Sequence, residues 1–379
     1  MSWNSIIGQN KLKEQLQNII TNNKIANAYC IYGNQGVGQD AIALEFIKSL
    51  LCKTSPSNSC GKCKNCEMIS NFSHPNLNLL FSMPALKSVK SKENGNNSEQ
   101  TYSQSEKVKK EVHAQLKIKS ANPYHTLQLE DANTILIEQV RDMQKNFISL
   151  STYAEGIKFV LILNADEMND VSSNALLKIL EEPSKNSTFI LTTSRIENLL
   201  PTIISRCQLL KCLPLANDAI KDALVEKYNL SEENALLLAK ISNGSFTNAV
   251  DLHSSNLDEL RNKALKSFEV IINSNTREVI KHVQNILSEV DKNRNLLKTR
   301  LLLIYYLIRD LLMLVEETPS LLINRDFKDE LEKFLIKSDS DSCQSGMNLC
   351  ESTIELLESY VYLPLVLNSF AIKLKRLFN

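Results

Sequence analysis

The sequence predicts an α/β domain with a parallel sheet covered by helices on both faces, followed by an all-α lid and a larger all-α domain. Over residues 1–214, short apolar strand-like runs alternate with amphipathic helical patterns. After Pro214 the strand-like runs stop, and helical periodicity continues to the C-terminus. A glycine-rich loop also lies between a predicted strand and a predicted helix. We therefore predict domains at 1–214, 215–254 and 255–379.

The individual elements follow from the spacing of apolar residues. The predicted strands are Ala28–Tyr32, Leu77–Ser82, Phe159–Asn164, Thr188–Thr192 and Gln208–Leu213. The helical patterns between them are Lys11–Ile20, Ala41–Leu51, Thr134–Leu150 and Ser173–Leu180. Beyond Pro214 the helical patterns are Asn217–Tyr228, Ser231–Ile241, Ser245–Leu252, Val279–Val290, Leu296–Val315 and Ile354–Phe378, with a break predicted at Pro364.

Residues 85–121 interrupt the α/β pattern, because they are rich in Lys, Ser, Asn, Gln and Glu and poor in large apolar residues. This composition predicts a long, mobile, solvated insertion. Its lysines also allow an alternative reading as a DNA contact: Lys87, Lys90, Lys92, Lys107, Lys109 and Lys110.

Composition excludes several classes of function. The chain has 43 Lys and Arg residues against 43 Asp and Glu residues, so no bulk positive field attracts nucleic acid. The longest apolar run, Leu301–Ile308, is too short for a membrane span, which takes about 20 residues. The N-terminal residues lack the apolar region of a signal peptide, so we predict a cytoplasmic protein whose nine cysteines stay reduced.

The loop Gly33–Asp40 has the pattern of a phosphate-binding loop, with glycines at 33, 36 and 38. Such glycines let the backbone turn tightly, so that amides at a helix N-terminus meet phosphate oxygens. However, Gln39 stands where the pattern requires a lysine, and Asp40 where a hydroxyl holds magnesium. We predict that the loop made of Gly33, Gly36, Gly38, Gln39 and Asp40 does not bind ATP productively. A plain strand-to-helix turn is the alternative.

An apolar strand ends at Asp166 and Glu167, which is the layout of a Walker B element. There the aspartate organises magnesium and the glutamate orients the attacking water. Without a lysine in the phosphate loop, we expect these carboxylates to be idle. A capped strand end is the alternative reading.

Four cysteines lie close together in residues 52–66: Cys52, Cys60, Cys63 and Cys66. Thiolates at these spacings suit tetrahedral zinc, and four of them leave no open position for catalysis. We predict a structural zinc knuckle, with four unliganded thiols as the alternative. We expect His74 to be a turn residue and not a further ligand.

Arg206 immediately precedes the last predicted strand, in the segment Ser205–Cys207. An exposed guanidinium on a short rigid turn can reach a neighbouring subunit and stabilise charge on a transferring γ-phosphate. A surface salt bridge is the alternative on spacing alone.

These motifs occur in one order with characteristic flanks: Ile6–Lys13, Asn174–Pro183, Thr192–Ser194 and Ser205–Cys207. Together with the cysteine knuckle, the chain resembles the bacterial DNA polymerase III clamp-loader subunits, gamma/tau and delta-prime, over roughly residues 4–250. The resemblance implies an AAA+ type fold and a helical collar for oligomerisation at 255–379. Gln39, Asp40 and Thr247, which replaces a sensor arginine in Gly244–Thr247, depart from gamma/tau. A lost nucleotide site beside a retained Arg206 is similar to delta-prime.

The resemblance implies a subunit that is not catalytic alone and belongs to the DNA polymerase III holoenzyme. Its implied partners are gamma/tau and delta, and through the complex the beta sliding clamp and primer-template DNA. Arg206 is then expected to complete the ATP site of an adjacent subunit. The alternatives are a gamma-like ATPase with a divergent loop, and a zinc-bearing DNA-binding module.

Overall fold

The computed structural model describes residues 3–55, 57–84, 87–88, 102–103, 106–149, 156–183, 186–254, 257–289, 294–358 and 361–378. The chain divides into two compact units. The first consists of Met1–Ala223 and Gly244–Asn248, and the second of Leu224–Asn243 and Ala249–Asn379. The predicted boundaries at 214 and 254 stay a prediction.

The described elements of the first unit alternate between strands and helices. The strands are β1 (Ala28–Tyr32), β2 (Leu77–Leu80), β3 (Lys87–Ser88), β4 (Tyr102–Ser103), β5 (Lys158–Ile162), β6 (Ser187–Thr193) and β7 (Gln208–Lys211). The helices are α1 (Asn10–Thr21), α2 (Gln39–Leu51), α3 (Lys64–Ser70), α4 (Glu106–Ala121), α5 (Ile137–Ser149), α6 (Asp170–Glu181) and α7 (Pro201–Ile204).

Five strands form a parallel sheet in the order β2-β5-β6-β1-β7, and β3 pairs with β4 in a separate antiparallel pair. Every residue of β5 and β6 is buried, as expected for central strands covered on both faces. Because all five strands run in one direction, their carboxyl ends meet at one edge of the sheet. The glycine loop after β1 and the acidic turn after β5 therefore lie at the same edge.

Alternating side chains of the strands form two separate cores, one on each face of the sheet. Tyr29 and Phe159 pack on one face with the apolar side of α2, whereas Cys30 and Val160 pack on the other. The predicted α/β fold with helices on both faces is confirmed, and each strand of the five-stranded sheet lies within two residues of its prediction.

The remaining helices carry the chain into the second unit. They are α8 (Asn217–Tyr228), α9 (Glu232–Ile241), α10 (Phe246–Ser254), α11 (Leu257–Asn273), α12 (Thr276–Glu289), α13 (Arg294–Val315), α14 (Lys328–Glu332), α15 (Ser340–Glu358) and α16 (Leu363–Leu377). Pro364 lies in the first turn of α16, where its missing N–H is tolerated, so the predicted break falls before it. None of the described helices is long and apolar enough to cross a membrane.

A buried polar network organises the second unit around Asp310 of α13, whose side chain is 0% exposed. The carboxylate accepts hydrogen bonds from the backbone amides of Ile323 and Asn324, at 3.0 and 2.7 Å, and from the Asn324 side chain at 2.8 Å. Asn324 in turn accepts from the buried Arg261 of α11. The network thereby holds the segment before α14 against α11 and α13.

The prediction of a solvated loop over 85–121 is wrong for its second half, because residues Glu106–Ala121 form α4. Val108, Val112 and Leu116 recur at four-residue spacing on the less exposed side of this helix. The apolar stripe is narrow, and the surrounding Lys and Glu residues mask it in the composition. Residues 85–86, 89–101 and 104–105, with Lys90 and Lys92, lie outside the described residues.

Candidate functional site

The glycine loop connects β1 to α2 at the carboxyl edge of the sheet. Gly36 and Gly38 adopt positive φ angles of 80° and 104°, a backbone conformation that favours glycine. The loop therefore has the backbone shape that its sequence predicts. The side chains that contact the loop determine whether it can bind a phosphate.

Gln39, at the position of the missing lysine, folds back onto its own loop. Its side chain is buried, and Nε2 donates to the carbonyl oxygens of Gly33 at 2.7 Å and Asn34 at 2.9 Å. A lysine at this position of a working loop extends toward the phosphates. Here the Gln39 side chain instead hydrogen-bonds to the backbone of its own loop.

Other parts of the first unit pack directly on the loop glycines. A Cβ atom on Gly36 would lie 2.2 Å from Ser245 Oγ, and one on Gly38 would lie 2.8 Å from Tyr124 Cε1. The amide of Phe246 donates to the Gly36 carbonyl at 3.0 Å. Glycine is thus needed at both positions, because a side chain there would collide with Ser245 or Tyr124.

Asp40, at the position of the magnesium-binding hydroxyl, is held from two sides. Its Oδ2 accepts from Lys119 Nζ at 2.7 Å, and its Oδ1 accepts from Thr192 Oγ1 at 2.7 Å. Lys119 lies in the last turn of α4, and Thr192 lies near the end of β6. The negative charge of Asp40 is therefore paired with a positive charge of the same chain.

The acidic turn after β5 is also occupied by protein groups. Asp166 accepts from Thr193 Oγ1 at 2.7 Å and pairs with Arg195 Nε at 3.0 Å. Glu167 accepts from Ser82 Oγ and from Asn164 Nδ2. Burial raises the pKa of Glu167, while these hydrogen bonds act in the opposite direction. Both predicted Walker B carboxylates therefore have intramolecular partners.

Arg206 follows α7 and precedes β7, as predicted. Its Nη2 pairs with Glu181 Oε1 at 2.8 Å, and its Nη1 donates to the Thr202 carbonyl at 2.9 Å. The arginine and glutamate side chains are 35% and 51% exposed. In this chain the guanidinium thus makes the surface salt bridge that the sequence left open as an alternative.

The four cysteines of the predicted knuckle converge at the end of α2 and the start of α3. Their sulfur atoms all lie within 4.8 Å of one another, and the Sγ atoms of Cys60 and Cys66 are 4.0 Å apart. Zn–S bonds of about 2.3 Å in a tetrahedron put sulfur atoms about 3.8 Å apart. The donor set and its spacing therefore fit a four-coordinate metal ion.

Backbone amides support the same cluster. The amide of Cys60 donates to Cys52 Sγ at 3.4 Å, and that of Cys63 donates to Cys60 Sγ at 3.3 Å. Hydrogen bonds from the Lys62 and Cys63 amides lower the pKa of Cys60 to about 6, whereas burial raises the pKa of Cys66 to about 12. His74 is not in the cluster: its Nδ1 accepts from the Asn76 amide at 3.0 Å, as a turn residue does.

Residues 8–216 match the family described as DNA polymerase III, delta subunit, which is more than half of the 379 residues. The chain belongs to the DNA polymerase III delta subunit family. The predicted resemblance to bacterial clamp-loader subunits is thereby confirmed. The match covers the sheet, the glycine loop, the cysteine cluster and Arg206.

Two relatives are named as the delta' subunit of DNA polymerase III. The DNA polymerase III subunit delta' of Bacillus subtilis is 29% identical over 264 residues, which are 69% of this chain and 65% of that protein. The subunit delta' of Pseudomonas aeruginosa is 28% identical over 65% of this chain and 62% of that protein. The matched region thus spans less than two thirds of each relative.

Among solved structures, a gamma subunit-related protein of DNA polymerase III from Thermotoga maritima aligns with 97% of this chain and 100% of its own length. The sequence identity is 16% and the TM-score is 0.45.

The sequence motifs identified the loop, the acidic turn, the cysteines and Arg206, but not the side chains that engage them. Lys119, Tyr124, Arg195 and Glu181 were missed. Lys119 belongs to a segment predicted as a loop, and it lies 79 residues from Asp40 in the chain. No local pattern links residues so far apart.

Proposed function

We propose that this chain is a non-hydrolysing subunit of a replicative sliding-clamp loader, in which Arg206 completes the ATP site of a neighbouring subunit. The observation that carries the proposal is the contrast between the two sites. The chain's own phosphate loop lacks the lysine and has protein atoms packed closely on Gly36 and Gly38, whereas Arg206 is partly exposed on the surface.

The geometry of Arg206 is compatible with transfer to a phosphate. A guanidinium has five N–H donors, and the contacts with Glu181 and Thr202 use two of them. Surface ion pairs contribute about 0–1 kcal/mol, so exchanging Glu181 for a phosphate requires little energy. The short α7 and the following strand fix the backbone from which the side chain extends.

The proposed partners are the gamma/tau and delta subunits, and through the assembly the beta sliding clamp and primer-template DNA. Support comes from relatives named DNA polymerase III subunit delta', gamma and tau. In this proposal the helices from 255 onward form the oligomerisation collar, and the assembly acts in the cytoplasm. ATP is not bound productively by this chain.

Complementation tests the proposed role directly. We expect the full chain, added to gamma and delta subunits, to produce a complex whose ATPase is stimulated by primed DNA and the sliding clamp. The same gamma and delta subunits without this chain serve as the control. A complex that has equal stimulated ATPase with and without this chain contradicts the proposal.

We also propose that Cys52, Cys60, Cys63 and Cys66 hold a structural zinc ion. Zinc would join the end of α2 to the start of α3 in a segment that is otherwise held by few apolar side chains. The knuckle is tied to the body of the first unit by Trp3 Nε1, which donates to the Ser57 carbonyl at 3.3 Å. Four thiolate ligands leave no open coordination position, so the ion would have no catalytic role.

Cys63→Ser is expected to reduce bound zinc from about one per chain to below about 0.2, because one of four thiolate ligands is lost. Atomic emission spectroscopy of the purified protein measures the zinc content. Cys207→Ser is the matched control, since Cys207 is also partly buried but lies outside the cluster. Equal zinc content in Cys63→Ser and the unmodified chain would rule out this ligand.

A further inference from the structure

Among the described residues of the first unit, the most deeply buried cation is Lys119, which lies beside the glycine loop. The Lys119 side chain is 0% exposed, and its ammonium group contacts three oxygen atoms. It donates to Asp40 Oδ2 at 2.7 Å, to the His125 carbonyl at 2.6 Å and to the Pro123 carbonyl at 3.5 Å. Lysine is rarely buried to this extent unless its charge is paired and its three donors are used.

The ion pair continues into a chain of hydrogen bonds along the carboxyl edge of the sheet. Thr192 Oγ1 donates to Asp40 Oδ1, and it accepts from the Asn164 amide at 3.3 Å. Asn164 in turn donates from Nδ2 to Glu167. This series of hydrogen bonds therefore connects α4, the start of α2, the end of β6 and the turn after β5.

In a working phosphate loop, a magnesium ion and the phosphates would link the start of α2 to the strand ends. The residue at position 40 would provide a hydroxyl to the metal, and the strand ends would provide carboxylates. Here position 40 carries a negative charge, and the positive charge that meets it belongs to a lysine of the same chain.

We propose that the Lys119–Asp40 ion pair is an internal substitute for the magnesium and phosphate charges of a nucleotide site. It holds α4 and the end of β6 against the start of α2 without any ligand. The pair also explains why a carboxylate is present at position 40, where it would repel a polyphosphate. Asp40 is thus a structural residue of the closed site. This inference does not depend on the role proposed for Arg206.

Lys119→Met tests the proposal in the nucleotide-free chain. Trp3, the single tryptophan of the sequence, is buried in the first unit, so its fluorescence reports the unfolding of that unit. We expect the melting temperature to fall by about 5–15 °C, because the partly buried Asp40 carboxylate loses its cation and two backbone carbonyl oxygens lose a buried donor. An unchanged melting temperature overturns the proposal.

Lys107→Met is the matched control on the same helix. Lys107 pairs with Glu130 at 2.9 Å, but the two side chains are 79% and 76% exposed. We expect its melting temperature to stay within about 1 °C of the unmodified chain. If both variants lose the same amount of melting temperature, any lysine-to-methionine substitution in α4 is destabilising. That result would overturn the specific role of the buried pair.

The double variant Asp40→Ser/Lys119→Met keeps the test decisive if Lys119→Met fails to fold. Removing both charges leaves neither one buried alone, so we expect the double variant to recover at least half of the loss in melting temperature. If the loss of melting temperature in the double variant equals the sum of the losses in the two single variants, the two residues act independently. That result would overturn the proposal. Because no partner protein is present, this result does not bear on Arg206.

Discussion

Arg206→Ala is expected to lower ATP hydrolysis at the neighbouring site that we propose it completes by about 10³-fold or more, which is the usual contribution of an arginine supplied in trans. In a reconstituted clamp loader, rapid-quench measurements should show the loss of the hydrolysis burst from that site. The equilibrium binding of ATP to the complex should change little, because the arginine acts mainly on the transition state.

Two control variants separate the role of the guanidinium from general damage. Arg206→Lys keeps the positive charge but loses the planar fork, so we expect most of the activity loss to persist. Arg141→Ala removes an exposed arginine of α5, in the same unit as Arg206, and should leave the burst unchanged. A full burst in the Arg206→Ala complex would contradict the proposed role.

Asp310→Ala is expected to destabilise the second unit by about 3–5 kcal/mol, because several buried donors lose their acceptor. The amides of Ile323 and Asn324 and the Asn324 side chain all donate to this carboxylate. Urea unfolding followed by far-ultraviolet circular dichroism should show a midpoint lowered by about 1–3 M.

Asp329→Ala is the control for this substitution. Asp329 is exposed at the start of α14, in the same unit. Surface substitutions of this kind usually change the free energy of unfolding by less than about 0.5 kcal/mol. If the Asp310 and Asp329 variants unfold at the same urea concentration, the buried network does not stabilise the unit as described.

The positions of the strands were predictable because each central strand is a short, nearly continuous apolar run. β1 was predicted to the residue, and β5 and β6 within two residues. The cysteine cluster was predictable because it is also local in sequence. Its four cysteines lie within 15 residues, and their spacing is typical of a metal-binding turn.

The long-range contacts around the phosphate loop could not be predicted from local patterns. Gln39 and Asp40 indicated that the loop lacks the usual chemistry, but not what replaces it. The side chains that contact the loop, Lys119, Tyr124 and Thr192, come from distant parts of the chain and meet it only through the tertiary fold. The same glycines that predict a phosphate loop serve here to let Tyr124 and Ser245 approach the backbone.

The state of Arg206 shows a different limit. Its place before β7 followed from the sequence, yet its pairing with Glu181 depends on the packing of α6 beside α7. The salt bridge and the proposed role in a neighbouring site are two states of one exposed side chain. An exposed pair of this kind contributes only about 0–1 kcal/mol, so the proposed role would require little energy to break it.

The most direct test of the account is calorimetric titration of the purified full chain with ATP and magnesium. Gln39 hydrogen-bonds to the backbone of its own loop, Tyr124 lies against Gly38, and the Asp40 carboxylate is paired with Lys119. We therefore expect no detectable binding at millimolar ATP. Binding with a micromolar Kd would show that the loop accepts nucleotide. It would contradict the proposal that this chain does not bind ATP productively.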